Sequence, residues 1–431
     1  MWPAILLSAV TCFAMIMAVL FFPKIRIFNI SVDSYWVVTL IGALILLIFG
    51  TVEVRTVTAA LTADNAINPF KILVLFISMT ILSIFLDELG FFSYLANLAL
   101  KKAGASQLRL FMILYVTVSV LTVFTSNDII ILSFTPFICY FAKNAKISPL
   151  PYLAAEFVAA NTWSMALIIG NPTNIYLVTA AGGDFMSYLK VMMLPALCSG
   201  VVAFVFLFIV YRKQLNAPIC DATVSDVRIE DKTSLGVGVF HLAACTLILA
   251  IGSYIGVEMW LVSLISAISL FVCAIVISLA RGRRPEALLA CLKRAPWELI
   301  PFVLSMFVVV ESLNANGVTD MIYSALGESM PVWKYGITSF LAANLINNIP
   351  MSVLYSSILE GGGSAAAVYA TVVGSNLGAC LTPIGALAGI MWSSILKEHG
   401  LKFGYLDFLK IGVTVAIPAL VTALGVLTLI F

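Results

Sequence analysis

The chain has 431 residues, 62% of them hydrophobic and 10% charged, with a formal net charge of +2 and a mean hydropathy of +1.10. Such values lie far outside the range of soluble domains, and the near-neutral balance argues nothing about nucleic acid. Apolar runs of about 20 residues match the hydrocarbon thickness a helix must cross, whereas a membrane β-barrel would show short alternating segments.

Candidate spans fall at 3–22, 34–53, 70–88, 188–212, 236–256, 259–281, 297–315 and 405–430. Two more, at 150–181 and 365–397, are interrupted by glycine, proline and asparagine and read as broken helices. The first span begins almost at Met1 with no basic flank or small-residue cleavage site, so it is expected to be a retained helix. Two stretches, 107–144 and 331–360, each hold two apolar limbs around a polar turn: Ser126-Asn127-Asp128 and Asn347-Asn348-Ile349-Pro350. The limb after Pro350 has only about ten residues before Glu360 and the Gly361–Gly363 run, too short to cross a bilayer. Both stretches therefore read as re-entrant hairpins. The segments from Gly90 and from Gly317 that precede them are mildly amphipathic and suit helices lying in the interface.

Placing the N-terminus outside puts 19 of the 23 basic residues on the cytoplasmic side, leaving Arg55, Lys71, Lys190 and Lys334 outside. The expectation is a multi-pass protein of the cell membrane with its N-terminus out. A polar linker, 214–234, separates two halves, 1–213 and 235–431, that resemble each other. LDELG at 86–90 matches LNANG at 313–317, and Ser126-Asn127 matches Asn347-Asn348; YLK at 188–190 matches FLK at 408–410, and PAL at 195–197 matches PAL at 418–420. The offsets are 227, 221, 220 and 223. Five crossings plus one hairpin per half make the copies inverted, so the fold class is an all-α polytopic membrane protein with ten spans and two hairpins in inverted repeats.

Inverted repeats bring four polar clusters toward one place: Ser126-Asn127-Asp128; Asn161 with Gly170, Asn171, Thr173 and Asn174; Asn347-Asn348; and Ser375-Asn376 with Thr382. These groups either ligate a substrate and coupling ion or hydrogen-bond one another to hold the helix breaks together. Carboxylates at depth are costly in a membrane, which makes Asp128, Glu156, Glu311, Asp87 and Glu88 candidates for proton coupling. Asp128 leads, because it lies at a hairpin tip. For Asp87, Glu88 and Glu311 an interfacial side chain reaching headgroups or water is the simpler reading. Cys380 lies inside the second break, where a cysteine more often packs than ligates. No metal-ligand set, cofactor motif or Walker A loop is present in the sequence, and no nucleophile–base pairing suggests an enzyme.

LDELGFF at 86–92, NLINNIPMSVL at 344–354, GSNLGACLTPIGALAGIMW at 374–392 and the ending FLKIGV…PAL resemble the arsenite/antimonite efflux permeases, the arsenical pump membrane proteins of the ion transporter superfamily. The resemblance implies ten crossings with two hairpins and proton-driven export of trivalent arsenic and antimony hydroxides. In some members it also implies docking of a soluble ATPase on the cytoplasmic face. The first break, IIGNPTNIY at 168–176, is closer to other members of the superfamily. A sodium/proton antiporter or a dicarboxylate or other organic-anion carrier of that superfamily therefore stands as the alternative.

Overall fold

The computed structural model describes residues 1–27, 30–64, 68–219, 228–360 and 362–431. Part of the linker, with Cys220, and Gly361 of the triple-glycine run lie outside them. The first half runs α1 (Trp2–Phe21), an antiparallel pair β1 (Lys24–Ile27) and β2 (Ile30–Asp33), α2 (Ser34–Ile48), α3 (Val54–Thr62), α4 (Pro69–Glu88) and α5 (Phe91–Ala103). It continues with α6 (Gln107–Phe124), α7 (Asn127–Asn144), α8 (Leu150–Trp163), α9 (Pro172–Ala180) and α10 (Phe185–Leu215). The second half repeats the order of helices with α11 (Lys232–Ile255), α12 (Met259–Ala280), α13 (Glu286–Arg294), α14 (Leu299–Ala315) and α15 (Val318–Leu326). Then come α16 (Pro331–Ile346), α17 (Asn348–Glu360), α18 (Ala365–Gly378), α19 (Leu387–Glu398), α20 (Tyr405–Ile411), a π-helical stretch (Gly412–Ala416) and α21 (Ile417–Ile430).

Eight helices among the described residues are long and apolar enough to cross a membrane. One of them, α6, belongs to a stretch expected as a hairpin, and α2, expected as a full span, is shorter. The outward residues of α12 (Ile265, Ile268, Val272, Ile275, Val276, Leu279) are apolar, as lipid contact requires, apart from Ser269, whose hydroxyl lies 3.1 Å from His241 Nε2. By contrast α4 is enclosed, with 83% of its apolar window buried inside the protein. The chain is a multi-pass helical membrane protein.

Polar residues fix where helices begin. Asn68 Oδ1 accepts from Phe70 N (2.9 Å) and Lys71 N (3.3 Å), Ser106 Oγ from Arg109 N (3.2 Å), and Asp184 from Met186 N (2.8 Å) and Ser187 N (2.9 Å). Tertiary bonds show how the chain doubles back. Tyr152 Oη donates to Gln107 Oε1 (2.9 Å), tying the start of α8 to the start of α6, so α6 and α7 leave and return at one end of the bundle. Likewise Tyr323 Oη, just before α16, donates to the Gly362 carbonyl just after α17 (3.3 Å).

The two halves interlock. Helix α2 packs on α14 and α12 on α4; α13 packs on α4, while α3 sets Val57 in a small core with Val308 of α14. Deeper in, α17 lies against α9 and α19 against α7. Short α3 and α13 and the β pair went unforeseen in the sequence, because each is too short for hydrophobic period to distinguish it from a loop.

Helices α16 and α18 approach each other closely at Gly374. A methyl group added at Gly374 would overlap Ser339 Oγ and the backbone of Gly336 and Phe340, whereas one at Gly425 meets nothing. Gly374→Ala is therefore expected to cost about 1–3 kcal/mol. In thermal unfolding of the detergent-purified protein, its melting point should fall while that of Gly425→Ala stays at the wild-type value.

Candidate functional site

Both breaks sit where helix-weakening residues interrupt an apolar run. The first lies between α8 and α9, with a 3-10 turn at Ile168–Gly170; the second spans 379–386 between α18 and α19. Unwinding frees backbone groups that hydrocarbon cannot satisfy, and asparagines take that role here. Asn174 Nδ2 donates to the carbonyls of Ser164 (2.8 Å) and Leu167 (3.1 Å), and Asn171 Oδ1 accepts from Thr173 N (3.2 Å) to start α9. Gly170 has no room for a side chain, since a Cβ would collide with the Ser164 carbonyl.

Asn376 of α18 joins the two breaks. Its Oδ1 accepts from Ser164 Oγ (2.8 Å) and Asn171 Nδ2 (3.0 Å), while its Nδ2 donates to Asn174 Oδ1 (2.7 Å) and the Val372 carbonyl (2.8 Å). All four polar side chains are buried to within 1% exposure, which makes each of these bonds obligatory.

Each hairpin tip then docks on a broken helix. Asn127 Nδ2 donates to Asn161 Oδ1 (3.1 Å), whose own amide donates to the Phe157 carbonyl (2.9 Å). Asn347 has φ +72° and ψ 152°, a region costly for any residue with a Cβ. It is held there by Nδ2 donating to the Ile384 carbonyl (3.1 Å) and Oδ1 accepting from Ile349 N (3.2 Å). Asn348 N donates to the Gly385 carbonyl (3.0 Å), and Thr382 Oγ1 to Asn344 Oδ1 (2.6 Å). Ser375 Oγ stands 3.4 Å from Ser352 Oγ. Within these clusters, Ser126 Oγ, Asn127 Oδ1, Thr173 Oγ1 and Asn348 Oδ1 are buried without a hydrogen-bond partner among the described residues.

The carboxylates fall in different places. Asp128 lines a cavity of about 350 Å³ with Ile129 and Leu132 of α7, Ile390 and Ser394 of α19, Thr80 and Ile84 of α4, and Lys24, Asp33 and Arg294. Glu311 lines a second cavity of about 220 Å³, built from α14, α17, Tyr176 of α9 and Ala60 of α3. Glu156 is buried and accepts from Thr135 Oγ1 (2.8 Å), which ties α8 to α7. Asp87 and Glu88 are partly exposed and both are ion-paired to Arg294, Asp87 at 2.8 Å. That pairing closes the end of α4 onto α13. Cys380 is buried against Phe157, Trp392 and Phe408 around a void of about 10 Å³, a packing position.

Sequence reading passed over Asn344, Ser164, Ser352, Thr135 and Arg294. Asn344 carried a signal, since it lies one helical turn before Asn348 and three residues before Asn347 in NLINNIP. The others acquire their role only from partners distant in the chain.

The family described as citrate transporter matches residues 26–372. The chain belongs to that family. Among similar proteins, the arsenical pump membrane protein of Escherichia coli (strain K12) is 28% identical over 378 residues, covering 82% of this chain and 85% of that one. The putative arsenical pump membrane protein of Bacillus subtilis (strain 168) is 24% identical over 401 residues, covering 86% and 88%. The resemblance to arsenical pump membrane proteins read from the motifs thus holds over most of the chain, within the ion transporter superfamily. In three dimensions the chain is similar to the Alcanivorax borkumensis YdaH transporter (TM-score 0.56, 12% identity, 99% and 98% covered), which speaks to the fold alone. This family member is a membrane transporter.

Removing Asn376 strands groups on both breaks. Asn376→Ala should cost at least about 1–3 kcal/mol for the first buried group left unpaired. Fluorescence size-exclusion of the tagged variant is expected to show less monodisperse protein than wild type.

Proposed function

We propose that this transporter exports trivalent arsenic and antimony hydroxides in exchange for protons. The observation that carries the reading is the pair of buried carboxamide oxygens, Asn127 Oδ1 and Asn348 Oδ1, left as free acceptors at the two hairpin tips. Their orientation is constrained, at least for Asn127: Asn161 spends its amide on Phe157, so its Oδ1 accepts from Asn127 Nδ2 and leaves Asn127 Oδ1 open. A free acceptor calls for a donor. Arsenous acid is neutral at pH 7 and offers three hydroxyl donors, and the unpartnered hydroxyls of Ser126, next to Asn127 in the chain, and Thr173, at the first break, could complement them. No lysine or arginine lies in the four clusters, so the site holds no cationic side chain to clamp an anion.

Proton exchange is assigned to Asp128. It adjoins Asn127 at the first tip and lines the larger cavity, where hydration permits ionisation and closure would restore the neutral acid. The membrane frame that goes with this reading has the N-terminus outside, two inverted repeats, ten crossings, and re-entrant hairpins 107–144 and 331–360. The cavity containing Asp128 and Lys24 then faces the cytoplasm, and the one containing Glu311 and Glu360 faces out. Support comes from the positive-inside count, the repeated element order and the return of each hairpin to its starting end.

One observation favours a second reading, an organic-anion carrier. Helices α7 and α17 begin at the two tips, and their positive N-terminal ends would suit a carboxylate. The family's description points the same way. A substrate panel separates the two.

Everted vesicles from cells lacking their own exporter should accumulate radiolabelled arsenite when a pH gradient is imposed. Citrate uptake with no arsenite uptake would reject the first reading in favour of the second. Asn348→Ala should raise KM by about tenfold with little change in folded protein, the loss of one hydrogen bond to substrate, while Asn127→Ala should raise KM and also lower folded protein, because it leaves the buried Asn161 Oδ1 unpaired. Asp128→Asn should still bind arsenite and lose its acceleration by the gradient. Undiminished gradient-driven transport in that variant would remove Asp128 from the role.

A further inference from the structure

The two cavities are made from corresponding parts. The first uses α7, α19 and α4 with Arg294 at the end of α13; the second uses α17, α9 and α14 with Ala60 of α3. The sequence offset of 227 carries Thr80 to Phe307 and Ile84 to Glu311, and all four residues line their cavity. The tip offset of 221 carries Asp128 to Ile349. Each cavity therefore holds one acid at a position where the other half has isoleucine: Asp128 in the first, Glu311 in the second. An acid on the hairpin faces one vestibule, and an acid on the frame helix faces the other.

The surroundings of Glu311 suit a proton rather than an anion. Glu360 from α17 shares the cavity as a second carboxylate, and Asn314, three residues on from Glu311, also lines it. Arg55 of α3 and Asp320 of α15 do not line the cavity, and the amino terminus of α1 is engaged by Asn316 Oδ1 (3.0 Å). The remaining titratable group facing it is Tyr176 of α9, 2% exposed, with its hydroxyl unpartnered among the described residues. Three residues earlier on the same helix, Thr173 Oγ1 is likewise unpartnered at the helix break. Hydroxyls can both accept and donate, so α9 carries two groups with unused capacity, Tyr176 lining this cavity and Thr173 at the helix break.

We propose that Glu311 is the proton-uptake site of the outer face. Hydronium in the outer vestibule gives a proton to the Glu311 carboxylate and leaves as water; the proton is passed inward and ultimately released to the cytoplasmic vestibule at Asp128. The proposal rests on the proton-coupled reading above. It makes coupling a two-acid process with one acid for each face.

The test uses full-length protein in right-side-out proteoliposomes, with interior pH fixed and outer pH varied. In the wild type, arsenite release speeds up as the outside is acidified. Glu311→Gln should lose that acceleration by about tenfold or more, while arsenite counterflow at equal pH remains near wild type, and Glu311→Asp should restore part of the response. A full outer-pH response in Glu311→Gln overturns the proposal, and so does a parallel loss of counterflow in monodisperse protein, which would make Glu311 part of the substrate path. A wild type that transports arsenite without any outer-pH response overturns the proton-coupled reading and this inference together. Should Glu311→Gln fail to fold, water-soluble carbodiimide added outside the wild type must modify Glu311, mapped by peptide mass, and blunt the response. A response that survives full modification overturns the assignment.

Discussion

The structure depends on one carboxamide. Within hydrocarbon a helix satisfies its own backbone, and breaking it twice leaves carbonyl and amide groups that neither lipid nor bulk water can meet. Asn376 meets this requirement across the halves, accepting from Ser164 and Asn171 and donating to Asn174. The bonds are mutual, so each break is shaped by the other. With the breaks fixed, the hairpin tips have defined carbonyls and amides to dock on, and the strained backbone at Asn347 is held by two of its own side-chain bonds.

This arrangement separates two roles that short polar residues in a membrane protein can play. Asn161, Asn171, Asn174, Asn376 and Asn344 have side chains bonded to protein groups. Ser126, Thr173 and the side-chain oxygens of Asn127 and Asn348 retain unused capacity. Composition alone cannot make that division, since all are asparagine, serine or threonine beside glycine and proline. Hydrogen-bond partners distinguish them.

Much of the fold was legible because its signals are local. Long apolar runs mark the spans, and glycine and proline mark the breaks at Gly170-Asn171-Pro172 and Thr382-Pro383-Ile384-Gly385. What escaped is nonlocal. The ion pairs of Arg294 with Asp87 and Glu88 join residues some 206 positions apart, and no pattern around Arg294 announces them. The small amphipathic helices α3 and α13 bury only a few side chains each, and their place comes from α14 and α4 in the opposite half. The candidate site was legible as a set of residue types, and its division into braces and open groups was not.

The crossed packing of the halves also bears on biogenesis. When the ribosome has finished α10, the buried faces of α4 still await α11, α12 and α13, and α9 awaits α17. At that stage Asn171, Asn174 and Ser164 have no Asn376 to engage, so the first break enters the bilayer with its polar side chains unmet. Insertion of the early helices therefore cannot be their folding. The Asn376 contacts of the first half must wait until α18 (Ala365–Gly378) follows α10, which ends at Leu215, so their completion is timed by synthesis of the second half.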